Sequence, residues 1–209
     1  FLVKEQKHLF LAREGKDSKE IFNAITGLLS SVTEEKVDGA DLPMADLEYL
    51  FLQTRARSVG ETVSVPLICQ ADDVCSAVHA EQVDLTKVNV NTSEMSDSKI
   101  QIADNLIVEM IPPTAKVVHS LTGKSESDMV IPLMRACLTR IYDEEEVYEM
   151  SDHRDAEIDE FVESLQVTQF EKISDYFGSL PSLSHEVKWT CPECGGDNYQ
   201  VIKGLDSFF

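Results

Sequence analysis

The sequence predicts an α+β protein: a helical N-terminal part, a central antiparallel β region, a second helical part and a C-terminal zinc-ribbon-like β-hairpin. Three observations carry this prediction. Apolar residues recur at helical spacing before residue 60 and again after residue 113. Between these stretches they alternate, as strands do. Near the end, Cys191 and Cys194 sit between two strand-like runs. Helices and strands come grouped rather than as repeated βαβ units, which favours α+β over a parallel sheet.

Residues 2–14 form an apolar-rich start that reads as a helix ending near Gly15. Asp17 or Ser18 can cap the next helix, with Glu20 in its first turn. There Ile21, Ala24, Ile25, Leu28, Leu29 and Val32 make one apolar stripe. "EEKVDGADLP" is a polar loop, and Pro43 suits the first turn of a third helix, "MADLEYLFLQTRAR". Its apolar residues Met44, Leu47, Tyr49, Leu50, Phe51 and Leu52 cover most of the circumference, which predicts burial on more than one side.

The period changes at Gly60. "ETVSVPLIC", "SAVHAEQVDL", "KVNVN", "KIQIA" and "NLIVEMI" read as strands, with "NTSEMSDS" as a turn. Pro113 and Thr114 open a short helix through "AKVVHSL", which Gly123 ends. Val130, Leu133, Met134, Cys137, Leu138 and Ile141 then predict a longer helix. "DEEE" reads as a solvated turn or helix end. Ile158, Phe161, Val162 and Leu165, then Phe170, Ile173 and Phe177, mark two more helices, stopped by Gly178 and Pro181. "HEVKW" and "NYQVIKG" are the closing strands. The segments are therefore 1–59, 60–112, 113–180 and 181–209, packed as one or two compact domains.

The chain has 209 residues, 43% of them hydrophobic and 27% charged, which is enough to bury an ordinary core. No stretch approaches ~20 consecutive apolar residues, and no signal peptide is expected. The chain begins at Phe1, so the true start is expected to lie upstream. A net charge of −20 repels nucleic acid and anionic membranes and favours basic partners. A heavily solvated surface explains the same charge. Five cysteines without a secretory signal point to a reducing compartment, and to metal binding or burial rather than disulfides.

Four of these cysteines fall into two similar hairpins, each built as strand, cysteine, short loop, cysteine, strand. Cys69 and Cys75 enclose five residues, whereas Cys191 and Cys194 enclose only Pro192 and Glu193. Zinc takes four soft or borderline ligands in a tetrahedron. A C-x-x-C at a tight turn supplies two, and Cys69 with Cys75 is the candidate second pair. A four-cysteine site leaves no open position for water, so a structural rather than catalytic zinc is expected. Two unmetallated knuckles with free thiols, or a disulfide across the C-x-x-C, are the alternatives.

No catalytic constellation stands out. Cys137 lies on an apolar helical stripe, as a buried thiol does. His8, His79, His119, His153 and His185 share no spacing, and no G-x-S-x-G is present. "LTGKSES" shares part of a phosphate-binding loop but lacks its first glycine and follows a helix pattern.

"FLVKEQKHLFLAREG", "LPMADLEYLFLQTRARSVGE", a cysteine hairpin, and a C-x-x-C hairpin closing in "GLDSFF" occur in that order. In these blocks the chain resembles the baseplate hub subunit family of T-even-type contractile-tailed bacteriophages. The block at 42–61 is the most specific, and "GLDSFF" comes next. The resemblance implies a non-enzymatic tail morphogenesis protein: a hub component, or an assembly factor for the hub and its tape-measure protein. It implies contacts with other hub proteins or the tape-measure protein, in the virion baseplate or in the host cytoplasm during assembly. Tyr49, Phe51, Arg55 and Arg57 are the candidate partner-contact residues. Helix-end charge is the plainer account of the two arginines. A zinc-ribbon nucleic-acid-binding protein is the alternative function. Against it, Lys188, Trp189 and Lys203 lie beside Glu186, Glu193 and Asp197, with no basic stripe.

Overall fold

A computed structural model describes residues 7, 18–71, 75–92 and 95–208. The helix expected over 2–14 and the Asp17 cap lie outside the described residues. The described residues hold six α-helices and nine strands, all strand pairs antiparallel, so the fold is α+β. The chain divides into two compact units. One comprises Phe1–Gly39, Ala45–Asn91 and Ser182–Phe209, and the other Ala40–Met44 and Thr92–Pro181. The second unit is thus largely an insertion between two parts of the first.

The first unit begins with α1, Ser18–Val32, which buries Ile25, Leu28 and Leu29. These residues sit three and four apart, the spacing that brings side chains onto one helix face. Helix α2, Met44–Ser58, buries Ala45, Leu52 and Ala56 on one side and Leu47 and Phe51 on the other. Leu47 lies two residues beyond Ala45, about 200° around the axis. Burial on more than one side follows from the apolar circumference.

Strands β1, Thr62–Ile68, and β2, Val78–Asp84, form a two-stranded hairpin in unbroken register from Thr62↔Asp84 to Ile68↔Val78. Strand β3, Asn89–Asn91, pairs with β8, Ser182–Thr190, which pairs in turn with β9, Asp197–Lys203. The stretch 60–112 is antiparallel β as expected, with its strands shared among three sheets, and β3 takes its partner from the far end of the chain. After β9 the backbone N–H of Gly204 donates to Leu183 O at 3.0 Å. The 3₁₀ turn Leu205–Phe208 follows, with Phe208 fully buried.

The second unit carries a sheet in the order β4-β5-β6-β7: Lys99–Ala103, Leu106–Met110, Leu138–Tyr142 and Val147–Glu149. Four helices accompany it: α3, Ala115–Leu121; α4, Glu126–Cys137; α5, Asp155–Ser164; and α6, Val167–Gly178. Met110, Met134, Cys137, Ile158, Val162, Ile173 and Tyr176 share one apolar core there. Ser125 caps α4 by accepting the Asp128 N–H at 3.3 Å.

One prediction is corrected here. The apolar spacing carried a helix through Ile141, but α4 ends at Cys137 and Leu138 begins a strand. Leu138 and Ile141 are three apart, so a regular strand would turn them to opposite faces. Both are nonetheless buried. Leu138 pairs with Met110 while Arg140 pairs with Glu109, so Thr139 is an extra residue in the ladder. That bulge returns both side chains to the core. Their sequence spacing therefore fits a helix and a bulged strand equally well.

"DEEE" proves to be the turn between β6 and β7. Asp143 accepts the backbone N–H groups of Glu145 and Glu146 at 2.9 and 2.7 Å. Such an Asx turn satisfies donors that a two-stranded ladder leaves open.

Candidate metal centre

The two cysteine hairpins meet within the first unit. Cys69 follows β1, Cys75 precedes β2, and Cys191 and Cys194 lie between β8 and β9. All four Sγ atoms lie within 4.8 Å of one another. The Cys69–Cys194 separation is 3.7 Å and the Cys75–Cys191 separation 3.8 Å. A tetrahedral zinc with Zn–S bonds of about 2.3 Å requires S···S edges of about 3.8 Å. Two of the six S···S edges therefore match a closed S4 centre and the others lie within 4.8 Å, close enough for the four thiols to hold one metal ion, and all are free of disulfides.

Backbone geometry builds the cluster. At the C-x-x-C, the Cys191 N–H donates to Gly196 O at 2.8 Å, and the Gly195 N–H to Cys191 O at 2.9 Å. Gly195 has φ +72°, in the left-handed region that glycine enters at little cost. Gly196 serves a different need, since a Cβ on it would collide with the Ala71 side chain of the facing loop. The sequence of the knuckle thus permits both the turn and the close approach of the second hairpin. On that hairpin, the Cys69 N–H donates to Ala77 O at 2.9 Å.

The backbone N–H groups of Cys194 and Glu193 bring the Cys191 thiol down to about 7, whereas the neighbouring thiols and burial raise those of Cys75, to about 12, and Cys194. Metal binding needs thiolates, so donors aimed at sulfur favour the ligating form. Cys69 and Cys191 are buried, Cys75 is half-buried and Cys194 is exposed.

One further residue belongs to this site. Asn198 on β9 is buried, and its Oδ1 accepts the Gln70 N–H at 2.7 Å. Its Nδ2 donates to Gly196 O at 3.1 Å and reaches Cys69 Sγ at 3.5 Å. Asn198 therefore ties both cysteine loops together. The alternation along β9 contained the signal: Asn198 shares its parity with the buried Ile202, so a polar residue stands at an inward position.

The other candidates disperse. Cys137 is buried in the second unit, and burial pushes its thiol up to about 12, as in an inert core cysteine. On α2, Tyr49 and Arg57 are exposed and Arg55 is half-buried. Arg57 donates to Gln53 O and Oε1 at 3.3 and 2.9 Å. The expectation that Phe51 offers contact surface is corrected: it has no exposed area, because it lies on the buried side of α2 with Leu47. No helix of the described residues is long and apolar enough to cross a membrane.

Fold and site together define an α+β protein whose two cysteine hairpins converge on a four-thiol cluster able to hold a metal ion. The family model described as "T4 bacteriophage base plate protein" matches residues 1–209, and the chain belongs to that family. No curated protein and no solved structure was found to match the chain.

Proposed function

We propose that this chain is a baseplate hub subunit, or an assembly factor for the hub and its tape-measure protein, acting through protein–protein contacts without catalysis. The observation that carries this reading is the whole-chain match to the baseplate family. The resemblance of the 42–61 block and of the "GLDSFF" ending to the hub subunit family supports the hub reading. The place of action is then the virion baseplate, or the host cell while the baseplate is assembled. On α2, the exposed Tyr49 and Arg57 with the half-buried Arg55 remain the proposed partner surface.

The four cysteines are proposed to hold a structural Zn2+. Their mutual spacing supports it, and an all-thiolate donor set suits zinc over hard cations. A net charge of −20 weighs against the nucleic-acid-binding alternative.

Quantitative proteomics of purified virions against infected-cell lysate tests the hub reading. A fixed copy number in virions identifies a hub subunit. Absence from virions, with hub or tape-measure proteins co-purifying from lysate, identifies an assembly factor. Recovery of no tail protein from either source contradicts both.

A further inference from the structure

The second unit contains a cleft of about 300 Å³ that the four-thiol site does not involve. Among its lining residues, the buried or half-buried Leu106, Ile141, Met150, Ile158 and Phe161 serve as an apolar floor, and the exposed Asp143 and His153, with Tyr148, as its mouth. Tyr148 OH donates to Asp143 Oδ2 at 3.0 Å, and the Tyr148 and His153 rings lie 6.3 Å apart, tilted by 51°. Strand β7, which supplies Tyr148, is an edge strand paired among the described residues only with β6, and its Val147 is 53% exposed.

The surroundings are strongly anionic. Residues 143–160 contain ten aspartates and glutamates against one arginine, Arg154, and of these acids Asp155 and Asp159 pair with Arg135 and Glu149 with Arg140. Arg154 is already engaged, donating to Glu157 Oε1 at 2.7 Å. Glu144, Glu145 and Glu146 are exposed at the β6–β7 turn. The N–H groups of Glu146 and Glu145 hold the Asp143 carboxyl below its usual range, so the rim stays charged at neutral pH.

We propose that this cleft docks a basic peptide segment of another protein, which inserts one bulky apolar side chain over Leu106, Met150 and Phe161. Size argues for a side chain, since pockets for small molecules run from about 300 to 1,000 Å³ and this one sits at the lower bound. Charge complementarity argues for a cationic partner. The same field repels a second copy of this chain, whose net charge is −20, as well as nucleic acid and anionic lipid. The proposal concerns the second unit alone and holds independently of the hub reading.

The probe is the synthetic peptide Lys-Lys-Trp-Leu-Lys-Lys, titrated into the purified full chain and followed by NMR. The expected result is saturable binding with shifts centred on Tyr148, His153 and Phe161. Replacing the peptide's Trp by Gly should weaken binding about tenfold or more, the value of one buried side chain. The Glu144→Gln, Glu145→Gln, Glu146→Gln triple variant, altered only in the exposed turn, should weaken it up to about tenfold. Leu106→Trp fills the cleft from its floor and should abolish the Trp-dependent part of binding while circular dichroism stays unchanged. Any of four results overturns the proposal: no binding, shifts centred elsewhere, equal binding of the Trp and Gly peptides, or equal binding of wild type and the triple variant.

Discussion

Asn198 shows how much a single polar side chain can organise. It bridges the loop after β1 to the knuckle after β8 with hydrogen bonds at 2.7 and 3.1 Å, and it faces the Cys69 sulfur. Groups that orient metal ligands typically contribute 10–100-fold in affinity. Asn198→Ala should therefore weaken zinc binding by about 10–100-fold, measured by competition with a chromophoric chelator, with zinc stoichiometry unchanged at saturation. Gly196 makes a different demand. Gly196→Ala should displace the facing loop and lower zinc affinity, because its Cβ meets Ala71. Ala71→Gly in the same chain should restore affinity, a rescue expected only if the collision is the cause. The cysteines were legible in the sequence because their residue type and spacing announce their chemistry. Asn198 was not, because its role depends on which loop β9 is brought against.

At the scale of elements, most helices and strands followed from period alone. The α4–β6 junction did not, since Leu138 and Ile141 satisfy a helical stripe and, with Thr139 bulged, a strand face as well. Local spacing could not separate the two, and the pairing with β5 decided between them. Strand β3 teaches the same lesson at longer range. "KVNVN" reads as a strand, but its partner is β8, some ninety residues away. The cysteine hairpins were recognisable as hairpins, and the match of their tips is a fact of tertiary structure. The acidic cleft was illegible in sequence, because its floor and mouth residues come from separate elements between Leu106 and Phe161 and share no motif.

For the whole molecule, the four-thiol site joins chain segments on either side of the inserted unit. Cys69 and Cys194 are 125 positions apart, and Cys75 and Cys191 are 116 apart. A cross-link that closes a long loop removes entropy from the unfolded chain, about 4–5 kcal/mol for a loop of ~100 residues in the disulfide case. The β3–β8 pairing already closes much of this loop, so the metal's share is smaller. Chelation should consequently loosen the first unit selectively. Hydrogen exchange should speed up in β1, β2, β8 and β9 and stay slow in β4, β5 and β6. Equal loss of protection in both units would contradict a metal role confined to the first.

The most direct measurement is native mass spectrometry of the folded chain purified without chelator, with the bound metal identified by elemental analysis. The account predicts one zinc ion per chain, lost when Cys69 and Cys194 are both replaced by serine. A folded chain that carries no metal, and takes up none from added zinc, would contradict it.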